Sequence, residues 1–539
     1  MTTEKERMLD ENWKTWGPYV SNRQWGTVRE DYSPNGNAWG HTTYNEAISR
    51  TYRWSEDGIA GISDDKQRLC FAFSFWNRKD KMIKERFFGL SNHEGNHGED
   101  VKEIYYYLDN TPTHSYMKMV YKYPINEFPY DHLIAENGRR SKQDPEFELI
   151  DTGIFNDNNY FDIFIEYAKI NHDDYLIRVT AKNRSAHKAP LVILPTLWFR
   201  NNWTWGYGEY EPQLKSSATS DIEIHHESLP VIKLYARDQN AEVLFCNNES
   251  NPAVVAGASS EPKYYKDGIN NFIIHDDQNA VNPNKSGTKA SFVINTEIEA
   301  GGNQTFDFRL SPHDMENAFF DFDDVFRLRQ KEADEYYGEI QKEITDEEEK
   351  MIQRQAFAGL LWNKQFYHYN VSKWLKGDPN LEAPRNFNHH VRNKEWEHMH
   401  NKDIISMPDK WEYPWFATWD LAFHCVPFAI LDAGFAKQQL MLLTKEWYIH
   451  PNGQLPAYEW DFSDVNPPVH AWSTFRVFKI DQMINGKPDV PFLESVFQKL
   501  LLNFTWWVNR KDKKGNNVFG GGFLGLDNIG AFDRNMEFK

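Results

Sequence analysis

Three segments in the last quarter of the chain set carboxylates beside aromatic rings. They are KWEYPWFATWDLAFH (410–424), HPNGQLPAYEWDFSDVNPPVHAW (450–472) and GGGFLGLDNIG (520–530). Trp and Tyr offer flat apolar faces on which a sugar ring can stack, and a carboxylate can bind hydroxyls or transfer a proton. Each segment lies where a loop meets an apolar helical stretch. Together they predict the floor of a sugar-binding cavity.

In the first segment, Asp420 follows Trp419 directly before an apolar helix. The free N–H groups and the dipole of a helix start favour a carboxylate there. Flanked by Trp415 and Trp419, this carboxylate could grip sugar hydroxyls. A plain helix N-cap is the alternative explanation, because Asp is preferred at that position.

The second segment places Glu459, Asp461 and Asp464 among aromatic rings, and Pro468 is suited to start the next helix. An ordinary turn is the alternative there. In the third segment, glycines allow the backbone to approach a ligand closely and can aim Asp527 into a pocket. The alternative for the third segment is a simple glycine-rich turn.

The elements that must position these segments fall into two kinds. Between about 20 and 310, short alternating or apolar runs such as FDIFIEYAKI (161–170) predict a large antiparallel sandwich. From about 315 the pattern becomes helical. The stretch 323–369 is rich in helix formers, and its charge-dense middle is interpreted as a solvated linker helix. Further helices are predicted at about 414–433, 435–449, 468–484 and 491–510.

Composition narrows the class of protein. The 539 residues carry a net charge of −19 with 15% aromatic residues. Nucleic-acid binding needs clustered cations, so a neutral substrate fits this balance better. The three cysteines are too few and too dispersed for a disulfide framework and are expected to be free thiols. No signal peptide or apolar span of about 18 residues is found, so we expect no membrane association and a cytoplasmic location.

One motif has the spacing of a zinc site but is not predicted to bind zinc. HEGNH (93–97) has the spacing of a zinc-protease motif, which needs both histidines on one face of a helix. The interior Gly95 and the following Gly98 disfavour a helix, so a loop is predicted instead. We therefore expect neither a metal nor another cofactor.

The three clusters, in their order and spacing, resemble glycoside hydrolase family 63, which holds processing α-glucosidases and mannosylglycerate hydrolases. The resemblance also covers 23–39, 52–77 and 94–124, and so extends along nearly the whole chain. The motifs that carry it are Trp419-Asp420, Gly453-Gln454-Leu455-Pro456, Asn466-Pro467-Pro468 and Gly525-Leu526-Asp527-Asn528.

The resemblance implies an N-terminal β-supersandwich (1–315), a linker helix (316–348) and the N-terminal part of an (α/α)6 barrel (349–539). It implies inverting hydrolysis of a terminal α-glucosidic bond, with Asp527 as the general acid. The substrate-binding residues that it implies are Trp415, Trp419, Asp420, Pro456, Glu459, Trp460, Asn466, Trp472, Gly525 and Asn528.

The family's catalytic base is a Glu well past the G-x-D-N motif, and no residue of this chain matches it. The expectation is therefore a truncated family member that keeps the acid and lacks the base, with apolar barrel faces left unpaired. A non-catalytic carbohydrate-binding or structural protein is the alternative. The sequence leaves protein partners, the sugar and the linkage open.

Overall fold

Secondary structure and packing were taken from a computed structural model. The residues that it describes are 2–23, 42–90, 94–96, 100–219, 221–238, 241–258, 263–380, 396–413, 416–457, 465, 467–512 and 514–519.

Two antiparallel sheets form the N-terminal part of the chain. The first has six strands in the order β1-β2-β3-β10-β16-β14, and the second has nine in the order β15-β11-β12-β13-β17-β9-β8-β7-β6. The small pair β4-β5 lies outside both sheets. The strands are β1 Trp16–Gly17, β2 Ile59–Asp64, β3 Leu69–Trp76, β4 Gly89–Leu90, β5 Asp100–Val101, β6 Tyr105–Asn110, β7 Tyr116–Pro124, β8 Tyr160–Asn171, β9 Asp174–Asn183, β10 Ala189–Phe199, β11 Gln213–Ser216, β12 Ile222–His225, β13 Ile232–Ala236, β14 Glu242–Cys246, β15 Ser286–Gly287, β16 Lys289–Ile298 and β17 Asn303–Ser311.

The alternation of side chains explains why the two sheets pack together. In β8, Phe161, Ile163, Ile165 and Tyr167 all join the main core, and the residues between them face the other way. A strand turns successive side chains to opposite faces, so a period of two buries one complete face. The opposite face of β8 carries Glu166, whose carboxylate accepts a 2.6 Å hydrogen bond from the Tyr116 hydroxyl. The predicted antiparallel, sheet-rich N-terminal part is therefore confirmed for the described strands.

The helices account for most of the remaining described structure. Their bounds are α1 Thr3–Arg7, α2 Tyr130–Arg139, α3 Pro252–Ala256, α4 Gly268–His275, α5 Phe322–Ile340, α6 Glu347–Trp362, α7 Val371–Lys376, α8 Thr418–Leu431, α9 Ala433–Leu442, α10 Val469–Asn485 and α11 Val490–Asn509. The four predicted helices after residue 410 correspond to α8, α9, α10 and α11. Of these, α8 packs against both α9 and α10.

The predicted linker helix needs correction. It is two helices, because Asp346 caps the start of α6 by accepting hydrogen bonds from the backbone N–H groups of Glu348 and Glu349. The solvated character is wrong for the inner face of α5, where Arg329 and Glu332 are buried as an ion pair of 2.6 Å. The buried Arg329 also donates to the carbonyl of Lys169 at the end of β8, which fixes α5 on the sandwich.

The end of that stretch is a strand and not a helix. β18 (Lys364–Asn370) pairs antiparallel with β19 (His400–Ser406) over seven residue pairs. The aromatic residues of KQFYHYN suit a strand, but its partner lies about 30 residues further on. Local helix propensity alone could not predict this pairing.

Direct hydrogen bonds join the sandwich to the helical part. The Trp362 indole donates to the carbonyl of Asp109 at 3.0 Å, and Trp362 stacks on Tyr107 with ring centroids 5.1 Å apart. The Tyr336 hydroxyl, also buried, donates to the carbonyl of Leu431 at the end of α8 at 2.7 Å. These contacts join α6 to β6 of the sandwich and α5 to the end of α8. The closed barrel itself stays a prediction.

Exposed apolar side chains concentrate in the last helices. Of the 23 large apolar residues that are exposed in the described part of the chain, 13 lie between Phe423 and Val518. On α11 they include Phe497, Leu501, Phe504 and Val508, spaced by four and three residues along one face. None of the described helices is both long and apolar enough to span a membrane.

Candidate functional site

A pocket lies where two helix N-termini, one loop and one helix C-terminus meet. Its walls come from the start of α8, the loop 453–457, the start of α10 and the end of α11. It contains about 370 Å³ of unfilled space, part of which is open to solvent. The described lining residues are Thr418, Trp419, Leu455, Val465, Pro467, Pro468, Val469, His470, Asn503, Trp506 and Trp507.

The loop wall is held at both ends. At α8, the Thr418 backbone N–H donates to the carbonyl of Ala457 at 3.1 Å, and the Thr418 hydroxyl donates to the carbonyl of Pro456. At α11, the buried Asn503 amide donates to the carbonyl of Gly453 at 2.8 Å. The Gly-Gln-Leu-Pro motif is therefore a strap between two helices.

Gly453 is required at this point for two reasons. Its φ is +93°, which disfavours residues with a side chain. A Cβ atom there would also lie 2.4 Å from the carbonyl oxygen of Leu502 on α11. The loop can approach α11 this closely only because the side chain is missing.

Three tryptophans give the pocket its aromatic character. Trp419 stands at the start of α8, while Trp506 and Trp507 come from the last turn of α11. Trp506 and Trp507 meet edge to face at 5.4 Å, and Trp507 stacks on Phe519 at 4.5 Å. All three tryptophans are partly exposed, so their rings remain accessible to a ligand.

The sequence interpretation missed Trp506 and Trp507. A helix was predicted over 491–510, but no site residues were predicted on it. Adjacent helical residues point about 100° apart, so two consecutive tryptophans cover a wide part of the helix surface. That geometry indicates a second aromatic surface on α11 but does not reveal which element meets it.

His470 is a buried polar residue in the pocket wall. It is only 3% exposed, and burial lowers the pKa of its imidazole to about 4. Its Nε2 lies 3.0 Å from the carbonyl of Leu440, which can only accept, so Nε2 carries the proton. Nδ1 is then a buried acceptor with no hydrogen-bond partner among the described residues.

Asp420 lies beside this pocket in the first turn of α8. The N-cap is Ala417 and Asp420 is the third helical residue, so the plain N-cap explanation is wrong. Asp420 is half-buried. Because the helix start favours the ionised carboxylate, Asp420 is suited to accept hydrogen bonds from hydroxyls.

The structure separates two other predicted site residues from the pocket space. Pro456 is buried, and its carbonyl is used by Thr418. Trp472 lies in the first turn of α10 and is 49% exposed, with its ring 5.6 Å from that of Phe423. Neither is among the described lining residues, although Trp419 is. Predicted site residues that lie outside the described part of the chain are Trp415, Glu459, Trp460, Asn466, Gly525, Asp527 and Asn528.

One cluster of carboxylates among the described residues has the spacing of a metal site. Asp100, Glu146 and Glu148 place carboxylate oxygens within 4.8 Å of one another. The buried Lys102 ammonium already donates to Glu146 and Glu148 at 3.0 Å and also contacts Asp100. This cluster therefore contains its own cation. Both histidines of the HEGNH motif lie outside the described residues.

Comparison with protein families assigns this region. Residues 413–523 match the family model described as "Mannosylglycerate hydrolase MGH1-like glycoside hydrolase domain". The pocket and Asp420 fall inside that match. The helical part thus contains a glycoside hydrolase-like domain. This finding supports a glycosidase with a carbohydrate substrate, in agreement with the coarser part of the sequence interpretation.

A curated protein of Saccharomyces cerevisiae, "Uncharacterized protein YMR196W", is similar along the chain. The two are 46% identical over 586 residues, which cover 99% of this chain and 54% of the yeast protein. The chain therefore spans about half the length of the curated relative that it matches. The similarity includes the sandwich as well as the glycoside hydrolase-like domain.

Proposed function

We propose that this protein hydrolyses a terminal α-glucosidic bond with inversion of configuration. The observation that carries the proposal is the tryptophan-lined pocket at the start of α8 and α10, inside the matched glycoside hydrolase domain. Such a pocket offers stacking surfaces beside a few directed polar groups, which suits a sugar ring. The family description names mannosylglycerate, so the identity of the sugar is part of the proposal.

The roles of the two carboxylates follow from their chemistry. Asp420 lies in the first turn of α8, a position that favours a carboxylate, and would hold the hydroxyls of the terminal sugar. Asp527, in the G-x-D-N motif, would protonate the leaving oxygen as the glycosidic bond breaks. The assignment of Asp527 rests on the motif, because this residue lies outside the described part of the chain.

An inverting mechanism also needs a carboxylate base about 6.5–9.5 Å from the acid, to activate water on the opposite face of the sugar. That the described site lacks this base is part of the proposal. It can be tested with azide, which attacks the anomeric carbon without losing a proton. The C–N bond then forms as the C–O bond breaks, and the proton of Asp527 goes to the leaving oxygen.

The test follows an α-glucoside with an alkyl leaving group, in water and in buffer with sodium azide. We expect glucosyl azide to form, and Asp527→Asn to slow this reaction by about 10²–10⁴-fold because the acid is lost. Asp533→Asn is the matched control, since Asp533 follows closely but lies outside the motif. Asp420→Asn should mainly raise KM.

The outcomes separate the alternatives. Hydrolysis in water alone, dependent on Asp527, would support the glycosidase and disprove the missing base. Binding of the glucoside with no product, with or without azide, would overturn catalysis and favour the carbohydrate-binding alternative. An unchanged rate in Asp527→Asn would remove Asp527 from the mechanism.

A further inference from the structure

A second cavity lies on the outer face of the six-stranded sheet. In β3, Phe73 and Phe75 join the main core, so Ser74 between them points to the opposite face. Ser74 lines the cavity there, together with Trp198 from the same face of the neighbouring strand β10. The described lining residues lie between 56 and 289, outside the matched glycoside hydrolase domain. This cavity is therefore separate from the tryptophan-lined pocket.

The cavity is small. Water-sized particles can occupy about 20 Å³ of it. One buried water needs about 10–15 Å³ on that measure, so there is room for one or two waters or a single small ion. A sugar does not fit.

Six charged side chains line the cavity, and four of them are already paired. The Arg86 guanidinium donates to the Asp57 carboxylate at 2.9 Å, and the Lys289 ammonium donates to the Glu85 carboxylate at 2.6 Å. One carboxylate and one ammonium remain. Among the described residues, neither of these two has an oppositely charged group within 4.0 Å.

Glu56 is the remaining carboxylate, and it is only 1% exposed. It accepts a hydrogen bond from the Asn248 amide at 3.0 Å. Burial raises the pKa of Glu56 to about 7. Besides the two ion pairs, the charged or titratable groups that act on it are Lys266, Arg200 and Cys70. Glu56 is therefore mostly protonated at pH 6, and the six side chains then carry three positive and two negative charges.

Lys266 is the remaining ammonium, and it is 5% exposed. It donates to the carbonyls of Ala47 and Arg50 at 3.1 and 2.8 Å. An ammonium has three N–H groups, so one of them is left. The Ser74 hydroxyl makes no hydrogen bond to a described residue. Two donors thus lack an acceptor in a wall with an excess positive charge.

These features favour an anion over a metal ion. The carboxylates of the cavity do not have the spacing of a metal site, which in the described part of the chain occurs only at Asp100, Glu146 and Glu148. An anion can accept from both donors and neutralise the excess charge. Leaving buried donors and a buried charge without a partner is costly.

We propose that the cavity binds a single halide ion together with a proton on Glu56, with Lys266 and Ser74 as the donors. The proton is taken from water as the halide enters and returns to water as it leaves. This inference is independent of the proposed glycosidase function. It makes the stability of the sandwich depend on both halide concentration and pH.

Bromide can locate the site directly, because it scatters X-rays anomalously. Crystals of the full chain are grown with sodium bromide at pH 6. We expect an anomalous peak in hydrogen-bond contact with Lys266 Nζ and Ser74 Oγ. A water molecule there, without an anomalous signal, would overturn the proposal.

The affinity is measured from the urea midpoint as bromide replaces gluconate at constant ionic strength, since gluconate is too large for the cavity. Bromide should raise the midpoint at pH 6, because it binds the native state. The apparent dissociation constant should be about tenfold larger at pH 8, because the protonated fraction of Glu56 falls from about 0.9 to about 0.09. This pH dependence is the signature of the linked proton.

Variants assign the two roles. Glu56→Gln stays uncharged and keeps an acceptor for Asn248, so it should bind bromide as tightly at pH 8 as at pH 6. Lys266→Met should abolish the effect of bromide. Lys263→Met is the matched control, because Lys263 bonds Glu249 at the surface and does not line the cavity.

Each outcome supports or overturns a distinct part of the proposal. Bromide that binds the wild type equally at pH 6 and pH 8 would be an adventitious ion only. A tenfold pH dependence that persists in Glu56→Gln would place the proton on another group. Equal effects of bromide on Lys266→Met and Lys263→Met would overturn the site. If Lys266→Met fails to fold, the comparison of Glu56→Gln with the wild type still decides.

Discussion

Replacing Gly453 by alanine tests the strap between α8 and α11. At a φ of +93°, a side chain costs about 1–2 kcal/mol relative to glycine. The new Cβ would also meet the Leu502 carbonyl oxygen at 2.4 Å, so the loop must move away. Movement breaks the buried bond from Asn503 to the Gly453 carbonyl, which costs about another 1–3 kcal/mol. Together the two terms give an expected loss of about 2–5 kcal/mol in the free energy of unfolding.

Gly486→Ala is the matched control. Gly486 also has a positive φ, +71°, at the C-terminal end of α10, but a Cβ there meets nothing within 4 Å. This variant should lower the free energy of unfolding only by the cost of a side chain at positive φ, about 1–2 kcal/mol. The assay is urea unfolding followed by the fluorescence of the chain's 20 tryptophans, which reports on global unfolding. Equal losses in the two variants would refute the close approach of the loop to α11.

Three further predictions concern pH, thiols and association. Because burial lowers the pKa of His470 to about 4 while an unfolded His titrates near 6.5, the unfolded chain takes up this proton first as the pH falls. The free energy of unfolding of the wild type minus that of His470→Gln should therefore fall by about 3 kcal/mol between pH 7 and pH 4, as measured from urea midpoints. A constant difference would show that His470 is not buried as neutral imidazole. Cys70, Cys246 and Cys425 are buried free thiols, so a thiol reagent should label them only after denaturation, and rapid labelling of the native chain would contradict their burial. The exposed apolar stripe on α11 should drive self-association. Phe504→Glu should therefore lower the apparent mass in light scattering relative to wild type. Leu9→Glu changes an exposed apolar residue near the N-terminus and should leave the apparent mass unchanged.

The sequence predicts those parts of the fold that local patterns encode. The period of two in β8 and the helical spacing after residue 410 are examples, because each follows from side-chain geometry within one element. The β18–β19 pair was missed because its two strands are joined only by a non-local contact. For the same reason, the order of strands within the two sheets could not be predicted.

The candidate site was likewise predicted only in part. The Trp-Asp pair and the Gly-Gln-Leu-Pro loop were predicted from composition and motif, and the structure supplies their geometric reasons at Thr418 and Gly453. Trp506, Trp507 and His470 were missed because helical periodicity does not reveal which face meets a distant loop. Convergence of separate elements on one pocket is a tertiary property.

The proposed function gives this chain an inverting α-glycosidase site. The most direct measurement is the ¹H NMR spectrum of the first product formed from an α-glucoside in the presence of azide. Attack from the face opposite the leaving group predicts the β-anomer of glucosyl azide, with the large axial coupling of its anomeric proton. Formation of the α-anomer first, or of no product while the glucoside binds, would contradict the account.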